Sequence, residues 1–172
     1  MNYKSKLHSI KAFVFDYDGV ISDGYIWVAD QKIVVRSGNV KDGYALQYAL
    51  KKGYLIAVIS GGSGDSISTR MDMLGIKDVF IGSHDKKKIF QNYIEQKGLK
   101  PEEVLYMGDD IPDYDVMLAS GVATCPSDAV EEIKSVADYI SHKCGGQGCV
   151  RDVIEQVMRL HNQWFHEDGK AW

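Results

Sequence analysis

A short apolar run that ends in two aspartates constrains this chain more than any other feature. The run Ala12 to Phe15 (AFVF) shows no alternation and is too short for a helix, which predicts a fully buried strand of a parallel sheet. Asp16 and Asp18 follow it, with Gly19 directly behind. Because side chains two apart on an extended backbone point to one side, we expect both carboxylates at the carboxyl end of this strand, where open α/β sheets bind ligands.

Two carboxylates held this close repel each other. The pair therefore predicts either a bound divalent cation or one carboxyl group with a raised pKa. Mg²⁺ is the expected cation, since it prefers oxygen ligands and is commonly bound beside phosphate. The same letters also fit a simple turn, in which Asp and Gly are common, and motifs farther along the chain must decide between the two interpretations.

Length and composition indicate one globular domain over residues 1–172. The chain is 45% hydrophobic and 26% charged, which suffices for one core and leaves no room for a second. A net charge of -4 with scattered lysines does not predict a nucleic-acid partner. No apolar run is long enough to span a membrane, and the start MNYKSKLHSIK lacks the apolar core of a signal peptide, so we expect a cytoplasmic protein. The cysteines, none in a CxxC spacing, are expected to be reduced packing residues: Cys125, Cys144 and Cys149.

Strands and helices alternate along the rest of the chain. Tyr25–Val28 and Ile33–Ser37 flank a four-residue loop and predict a β-hairpin at about 23–37. Asp42 precedes a helical pattern, and further strands are predicted at 55–59, 79–81, 104–107, 122–124 and 139–140, with helices between them. Right-handed crossovers then predict a doubly wound, Rossmann-like α/β fold with a parallel sheet and the hairpin as an insertion.

The last thirty residues combine a glycine-rich segment, a helix and a tail. Gly145 to Gly148 predict a flexible joint, and Val150 to His161 predict an amphipathic helix. The tail at about 163–172 contains three large aromatic residues, and two interpretations stay open for them, packing against a partner or a mobile tail: Trp164, Phe165 and Trp172.

Polar groups recur where the predicted strands end. Ser60-Gly61-Gly62 follows the second strand of the sheet, Lys86 lies just beyond the third, and Asp109-Asp110 follows the fourth. Each alone also fits a structural role, as a strand-to-helix turn, a solvated helix face or a helix cap. All of them fall on the edge that carries Asp16 and Asp18, which favours a shared site.

This set of groups suits phosphoryl transfer. Asp16 is the candidate nucleophile that forms an aspartyl phosphate, and Asp18 is the candidate acid and then base. Ser60 with the N–H groups of Gly61 and Gly62 would bind phosphate ahead of a helix, and Lys86 would balance its charge. Mg²⁺ would be held by Asp16, Asp109 and the backbone carbonyl of Asp18.

At this point the chain resembles the haloacid dehalogenase superfamily of phosphohydrolases. DYDGV resembles its nucleophile motif, ISGG its Ser/Thr motif, Lys86 its lysine motif and GDDIPD its metal motif, in the same order. The resemblance implies the same roles for Asp16, Asp18, Ser60, Lys86 and Asp109. It adds Asp113 as a candidate for the second shell of the metal or a further ligand, and Asp110 as a weaker candidate for the second shell.

Most members of that superfamily cover the site with a cap domain, and this sequence has no room for one. The residues from Asp18 to Ser60 are taken up by the hairpin and one helix, and those from Gly62 to Lys86 by one helix and one strand. An uncovered site would expose intermediates to water, so we expect another subunit to supply the lid and the protein to be a homo-oligomer.

Within the superfamily, the segments SDGYI, NVKDGYAL and GGQGCVRDV resemble a capless subfamily, the 3-deoxy-D-manno-octulosonate 8-phosphate phosphatases. That resemblance implies a sugar-acid phosphate substrate, a tetramer in which a neighbour's hairpin covers the site, and a role in lipopolysaccharide assembly. A sister enzyme that acts on nine-carbon, sialic-type acids shares the same motifs, so both substrates stay open. Lys41 and Gly62 depart from the usual residues of the eight-carbon enzymes and are the candidate specificity residues.

Two interpretations from other classes fit the motifs less well. A receiver domain of a two-component system would need a phosphoacceptor Asp after the third strand of the sheet, where this chain reads Phe80-Ile81-Gly82. A catalytically idle oligomeric module would have no need for the acidic, serine and lysine motifs together.

Overall fold

Six parallel strands form the centre of the molecule in the computed structural model, which describes residues 3–29 and 33–170. The strand bounds are β1 Ala12–Phe15, β4 Leu55–Ile59, β5 Asp78–Phe80, β6 Val104–Met107, β7 Val122–Cys125 and β8 Tyr139–Ile140. In spatial order the strands are β5, β4, β1, β6, β7 and β8. β1 pairs in register with both β4 and β6, so that Phe15 lies beside Val58 on one side and Met107 on the other.

Helices cover both faces of this sheet because alternate residues of the buried strands face opposite sides. The helix bounds are α1 Tyr3–Lys6, α2 Val40–Lys51, α3 Asp65–Met73, α4 Lys86–Gln96, α5 Tyr114–Ala119, α6 Glu131–Val136 and α7 Cys149–Leu160. Phe13 and Phe15 of β1 join the core beneath α2, α3 and α7, whereas Ala12 and Val14 join the core beneath α4, α5 and α6. The doubly wound α/β prediction is confirmed, with β5 starting and ending one residue early.

The predicted hairpin is present and stands apart from the sheet. Its strands are β2 Ile26–Val28 and β3 Val34–Arg36, paired antiparallel with Trp27 opposite Val35. Positions 30–32 of its predicted loop lie outside the described residues. Tyr25 and Trp27 are 73% and 70% exposed, an unusual degree for large aromatic residues.

The start of α2 corrects one prediction. Asp42 was expected to precede the helix, but α2 begins at Val40 because Asn39 caps it, its side-chain oxygen accepting from the Lys41 N–H at 2.8 Å. Asp42 is consequently buried in the first turn. There its carboxylate accepts the backbone N–H groups of Gly148 at 3.2 Å and Arg151 at 2.7 Å, which fastens α2 to the start of α7.

The glycine-rich segment before α7 corrects another prediction, since it is a bonded turn and not a free joint. The N–H of Gly145 donates to Asp128 at 2.9 Å, and the N–H of Gly146 donates to the carbonyl of Val20 at 2.9 Å. A Cβ on Gly145 would lie only 1.9 Å from the carbonyl oxygen of Gly19. The turn therefore packs directly against the loop that follows β1.

The tail, as far as it is described, folds back on its own chain. The Trp164 ring lies 5.6 Å from that of Tyr48 and 6.2 Å from that of Tyr44, both on α2. Asp168 accepts the Tyr48 hydroxyl at 3.2 Å and forms an ion pair with Lys52 at 2.7 Å. The mobile-tail interpretation is wrong for Trp164, which packs on α2. Packing of the tail against a partner stays a prediction, and Trp172 lies outside the described residues.

The three cysteines are free, and Cys125 and Cys149 are buried as packing residues.

Among residues 3–29 and 33–170, no helix combines the length and apolar character that crossing a bilayer requires.

We predict that Gly145→Ala lowers the free energy of unfolding by about 2 kcal/mol or more, since the added methyl must displace the loop at Gly19. Gly38→Ala is the matched control, because its Cβ would meet Arg70 at an ordinary 3.5 Å. Urea unfolding of the two variants measures the difference. Equal, small effects would show that the turn tolerates a side chain and does not buttress the loop.

Candidate active site

A cavity of about 510 Å³ lies at the carboxyl ends of β1, β4 and β6. Its position follows from the topology, since the chain leaves these three adjacent strands toward the same edge. The residues that line it are Asp16, Asp18, Gly24, Ser60, Gly61, Gly62, Ser83, His84, Lys86, Asp109, Asp110, Pro112 and Asp113. The structure thus brings together every sequence-predicted site residue except Lys41.

Three carboxylates crowd the floor of this cavity. Oxygens of Asp16, Asp109 and Asp113 lie within 4.8 Å of one another, and Asp16 and Asp113 are only 5% and 1% exposed. Burial, followed by the charge of Asp113, raises the pKa of Asp16 above its ordinary value. Burial, followed by the charges of Asp16 and Asp113, raises the pKa of Asp109. Ionising all three carboxylates in this buried space is therefore unfavourable unless a cation is bound.

One oxygen of the cluster has no partner. Asp109 Oδ1 is buried and makes no hydrogen bond within the described part of the chain. An orphaned carboxylate oxygen beside two further carboxylates is a suitable donor set for a hard cation such as Mg²⁺. The residues present therefore fit the predicted ion.

Gly19 is what allows Asp109 to come this close to β1. Its φ is +88°, in the left-handed region, and a Cβ there would lie 2.0 Å from Asp109 Oδ2. Position 19 therefore favours glycine for two reasons: the backbone has a positive φ, and the Asp109 carboxylate occupies the space of a side chain.

Lys86 supplies the positive charge of the cluster. Its Nζ lies 2.9 Å from Asp16 and 2.8 Å from Asp113. Burial acts to lower the pKa of Lys86, but the two carboxylates outweigh it and the pKa stands above its ordinary value. The lysine is therefore held as a buried cation between the two carboxylates.

Asp113 is held more firmly than its assignment as a second-shell candidate suggested. Besides Lys86, it accepts the Tyr106 hydroxyl at 2.6 Å and the backbone N–H of Asp109 at 3.1 Å. Tyr106 was not identified from the sequence; the only signal was a tyrosine within a buried strand, whose hydroxyl needs a partner. Asp110 is farther out, where its side chain caps the Ile111 N–H at 2.8 Å.

Asp18 lines the same cavity but its carboxylate is not part of the three-carboxylate cluster. It pairs instead with Arg36, whose Nε lies 2.7 Å from Asp18 Oδ1. The carboxylates grouped with that of Asp16 are those of Asp109 and Asp113, and not that of Asp18 as the sequence spacing suggested. A metal contact through the Asp18 backbone carbonyl stays a prediction.

The loop after β4 is shaped for an anion. Ser60 is buried, and its Oγ accepts the N–H of Gly62 at 3.1 Å. The loop leads through Gly64 into α3, which begins at Asp65. Backbone N–H groups ahead of a helix start favour binding of phosphate.

Lys41 lies elsewhere. It is exposed and lines a separate cavity with Arg151 of α7 and His142. In contrast, Ser83 and His84 line the site cavity although neither was singled out. Their only sequence signal was their position directly before Asp85 and Lys86.

A larger cleft, of about 840 Å³, opens at the opposite edge of the sheet near Lys11, Tyr54 and His161. Among the described residues that line this cleft, Glu103 is the one carboxylate, and it is paired with Lys11 at 2.6 Å. These lining residues therefore offer no acidic group comparable to that at the strand ends.

Comparisons with known proteins agree with this geometry. A model of the haloacid dehalogenase-like hydrolases matches residues 39–126. The 3-deoxy-D-manno-octulosonate 8-phosphate phosphatase of Salmonella typhi is 33% identical over 167 residues, covering 97% of this chain and 89% of that protein. The chain belongs to the haloacid dehalogenase-like hydrolase family. The resemblance inferred from the motifs is confirmed, and the receiver-domain interpretation is wrong.

Solved structures of this hydrolase family superimpose closely. The 3-deoxy-D-manno-octulosonate 8-phosphate phosphatase of Moraxella catarrhalis, solved with magnesium, phosphate and a KDO molecule, has a TM-score of 0.91 at 31% identity and covers 94% of this chain and 93% of its own. The cobalt-bound phosphatase of Haemophilus influenzae has a TM-score of 0.90 at 27% identity, covering 95% of this chain and 98% of its own.

We predict that Asp109→Asn raises the melting temperature of the metal-free hydrolase by about 2–4 °C, the shift that about 1 kcal/mol produces in a chain of this size. The substitution removes one of three mutually repelling carboxylates. Excess MgCl₂ should raise the melting temperature of the unsubstituted protein, because an ion bound only by the folded state stabilises it, and should leave Asp109→Asn unchanged.

Asp110→Asn is the control for that measurement, since Asp110 lies in the same loop but outside the carboxylate cluster. Thermal unfolding with and without MgCl₂ compares the three proteins. A full magnesium response in Asp109→Asn would remove this residue from the metal site.

Proposed function

We propose that this hydrolase is a magnesium-dependent phosphomonoesterase that converts 3-deoxy-D-manno-octulosonate 8-phosphate to 3-deoxy-D-manno-octulosonate and phosphate. One observation carries the proposal: a single cavity joins the carboxylates of Asp16 and Asp109 to Lys86 and Ser60. The similarity to the Salmonella typhi phosphatase over 97% of the chain supports the choice of substrate.

The reaction follows from the placement of the groups. An Asp16 oxygen attacks phosphorus, the bond from phosphorus to the sugar oxygen breaks, and Asp18 gives a proton to that departing oxygen. Water then attacks the aspartyl phosphate, Asp18 takes a proton from the water, and Asp16 leaves as a carboxylate.

Binding of the phosphoryl group is assigned to the loop after β4 and to Lys86. Ser60 and the backbone N–H groups of the loop through Gly61 hold its oxygens, and Lys86 balances their charge. Asp16, Asp109 and the backbone carbonyl of Asp18 would hold Mg²⁺, with Asp113 as a further candidate, and the ion would offset the repulsion between carboxylate and phosphate.

We also propose a homo-oligomer, a tetramer by the family resemblance, in which a neighbouring hairpin covers the site. The exposed apolar side chains of the hairpin, Trp27 among them, support an apolar contact of this kind. Residues 1–172 would act as one domain in the cytoplasm and serve lipopolysaccharide assembly.

We predict that Asp16→Asn lowers turnover of 3-deoxy-D-manno-octulosonate 8-phosphate at least about 10³-fold, because an amide cannot form the phosphoenzyme. Phosphate release measures the loss. Circular dichroism should show an unchanged fold, since Asn keeps the shape of the side chain and removes a repelling charge.

The control compares substrates. The unsubstituted enzyme should turn over the eight-carbon ester faster than a nine-carbon 2-keto-3-deoxy acid 9-phosphate. The reverse preference would favour the nine-carbon alternative, in which case Lys41 and Gly62 are the first residues to exchange. Release of no phosphate from either ester, with MgCl₂ present, would support the catalytically idle module.

We predict that Trp27→Ala shifts the protein to smaller assemblies and lowers its turnover, because deleting a buried interface aromatic typically costs about 2 kcal/mol or more. Size-exclusion chromatography with light scattering measures the assembly. Phe165→Ala is the matched control, since Phe165 is 76% exposed but lies in the tail and not in the hairpin. A fully active monomer would contradict the proposed lid.

A further inference from the structure

Arg36, at the end of β3, connects the hairpin to the candidate acid and base of the site. Only 5% of its side chain is exposed, and its Nε donates to Asp18 Oδ1 at 2.7 Å. Its Nη1 donates to Ser66 Oγ at 3.2 Å and to the carbonyl of Ser63 at 3.4 Å, both at the start of α3. The guanidinium is thus fixed on two sides, and its planar fork transmits that orientation to the carboxylate.

The two oxygens of Asp18 are left in different surroundings. Oδ1 accepts from Arg36 and, at 3.3 Å, from the Ser22 hydroxyl, which is itself buried. Within the described residues no hydrogen bond to Oδ2 is found. Because rotation of the carboxylate would break the bonds to Oδ1, Oδ2 is the oxygen presented to the cavity.

Gly62 provides the space for this pair. A Cβ on Gly62 would lie 2.7 Å from Arg36 Nη2 and 2.8 Å from Asp18 Oδ2. Any side chain at this position would collide with the guanidinium or with the free oxygen. The packing of Arg36 and Asp18 therefore explains the glycine at position 62 without any contact to the sugar.

Arg36 is poorly placed to contact substrate directly. It does not line the cavity that contains Asp16 and Asp18, and both Nε and Nη1 are occupied by protein acceptors. It approaches Asp18 from the hairpin side, behind the carboxylate. A direct role of Nε or Nη1 in binding the acid group of a sugar would require these bonds to break, and only Nη2, which faces Gly62, has no hydrogen bond among the described residues.

We propose that Arg36 is a positioning residue: by holding Asp18 Oδ1, it directs Oδ2 to give the proton to the departing sugar oxygen and later to take one from the attacking water. This inference rests on the proposed phosphatase function. It also makes the hairpin part of the catalytic geometry of its own subunit, whatever else the hairpin contacts.

The test compares two esters that differ in their need for a proton. The leaving oxygen of 3-deoxy-D-manno-octulosonate 8-phosphate is an alkoxide and needs one, whereas the leaving group of p-nitrophenyl phosphate departs as a stable anion. With Arg36→Met, we expect turnover of the sugar-acid ester to fall about 10²-fold while KM changes less than about threefold. The first turnover of the aryl ester should change less than about threefold and be followed by a slow steady state, seen as a burst of p-nitrophenolate.

Three further variants make the result specific. Arg36→Lys, which keeps a cation and one donor, should recover at least about tenfold of the loss. In an Asp18→Asn background, Arg36→Met should lower turnover less than about twofold further, because residues that act through one another are not additive. Arg70→Met is the matched control: Arg70 lies against Gly38, just after the hairpin, and against Gly43 of α2. Its loss should change the turnover of both esters equally and by less than about threefold.

The inference is overturned if Arg36→Met raises KM for the sugar-acid ester at constant kcat, which would mean direct contact with substrate. It is also overturned if the effect of Arg36→Met multiplies with that of Asp18→Asn, which would mean that Arg36 acts independently of Asp18. Equal losses on both esters without a burst would also overturn it. If the Arg36→Met variant does not fold, the same comparison of turnover on the two esters is made with Arg36→Lys. Failure of the proposed function is recognised separately, as an unsubstituted enzyme that releases no phosphate or an Asp16→Asn variant that keeps its activity.

Discussion

The crowding of three carboxylates around one ammonium group is the constraint on which the rest of the site depends. The carboxylates of Asp16, Asp109 and Asp113 lie close together at the floor of the cavity. Among the described residues, Lys86 is the one side chain that forms ion pairs with this group, through Asp16 and Asp113. A single ammonium group cannot neutralise three carboxylates if all of them ionise, so the floor of the cavity is short of positive charge. Burial and this shortage hold the pKa values of Asp16 and Asp109 above their ordinary range, which favours proton uptake while no metal is bound. Mg²⁺ would relieve that shortage and, in doing so, provide the attraction for a phosphate. The same imbalance that makes the metal-free fold less stable would therefore make the site bind its ligands.

The carboxylates can be held this close only because several layers of structure support them from behind. Gly19 permits Asp109 to approach β1, and the turn at Gly145 packs against the carbonyl of Gly19. Asp42 fixes the start of α7, directly beyond that turn, through two backbone N–H groups. The glycine-rich segment is therefore a structural support of the first motif, although it lies more than a hundred residues away in sequence.

This separation explains what the sequence could and could not reveal. The strand that carries Asp16, the loop at Ser60 and the helix that starts at Lys86 were predictable, because apolar runs and local order determine them. Arg36 and Tyr106 were not, because their importance arises from contacts that only the packed fold creates. Asp42 was misread as preceding α2 for a similar reason: an aspartate in a first turn looks like any other until its partners on α7 are known. Lys41 is the opposite case: its place in a motif predicted a specificity residue, but in this subunit it lines a different cavity from the one that contains Asp16.

The hairpin combines two properties that are usually found on separate elements. Its outer side exposes apolar side chains, and its last strand residue holds Asp18 through a nearly fully buried guanidinium. Under the two proposals above, this small element would both cover a neighbouring site and orient Asp18, although a two-stranded ribbon is only marginally stable without further packing. Whatever surface packs on Trp27 would therefore also steady Arg36, so that covering the site and orienting Asp18 would be one event.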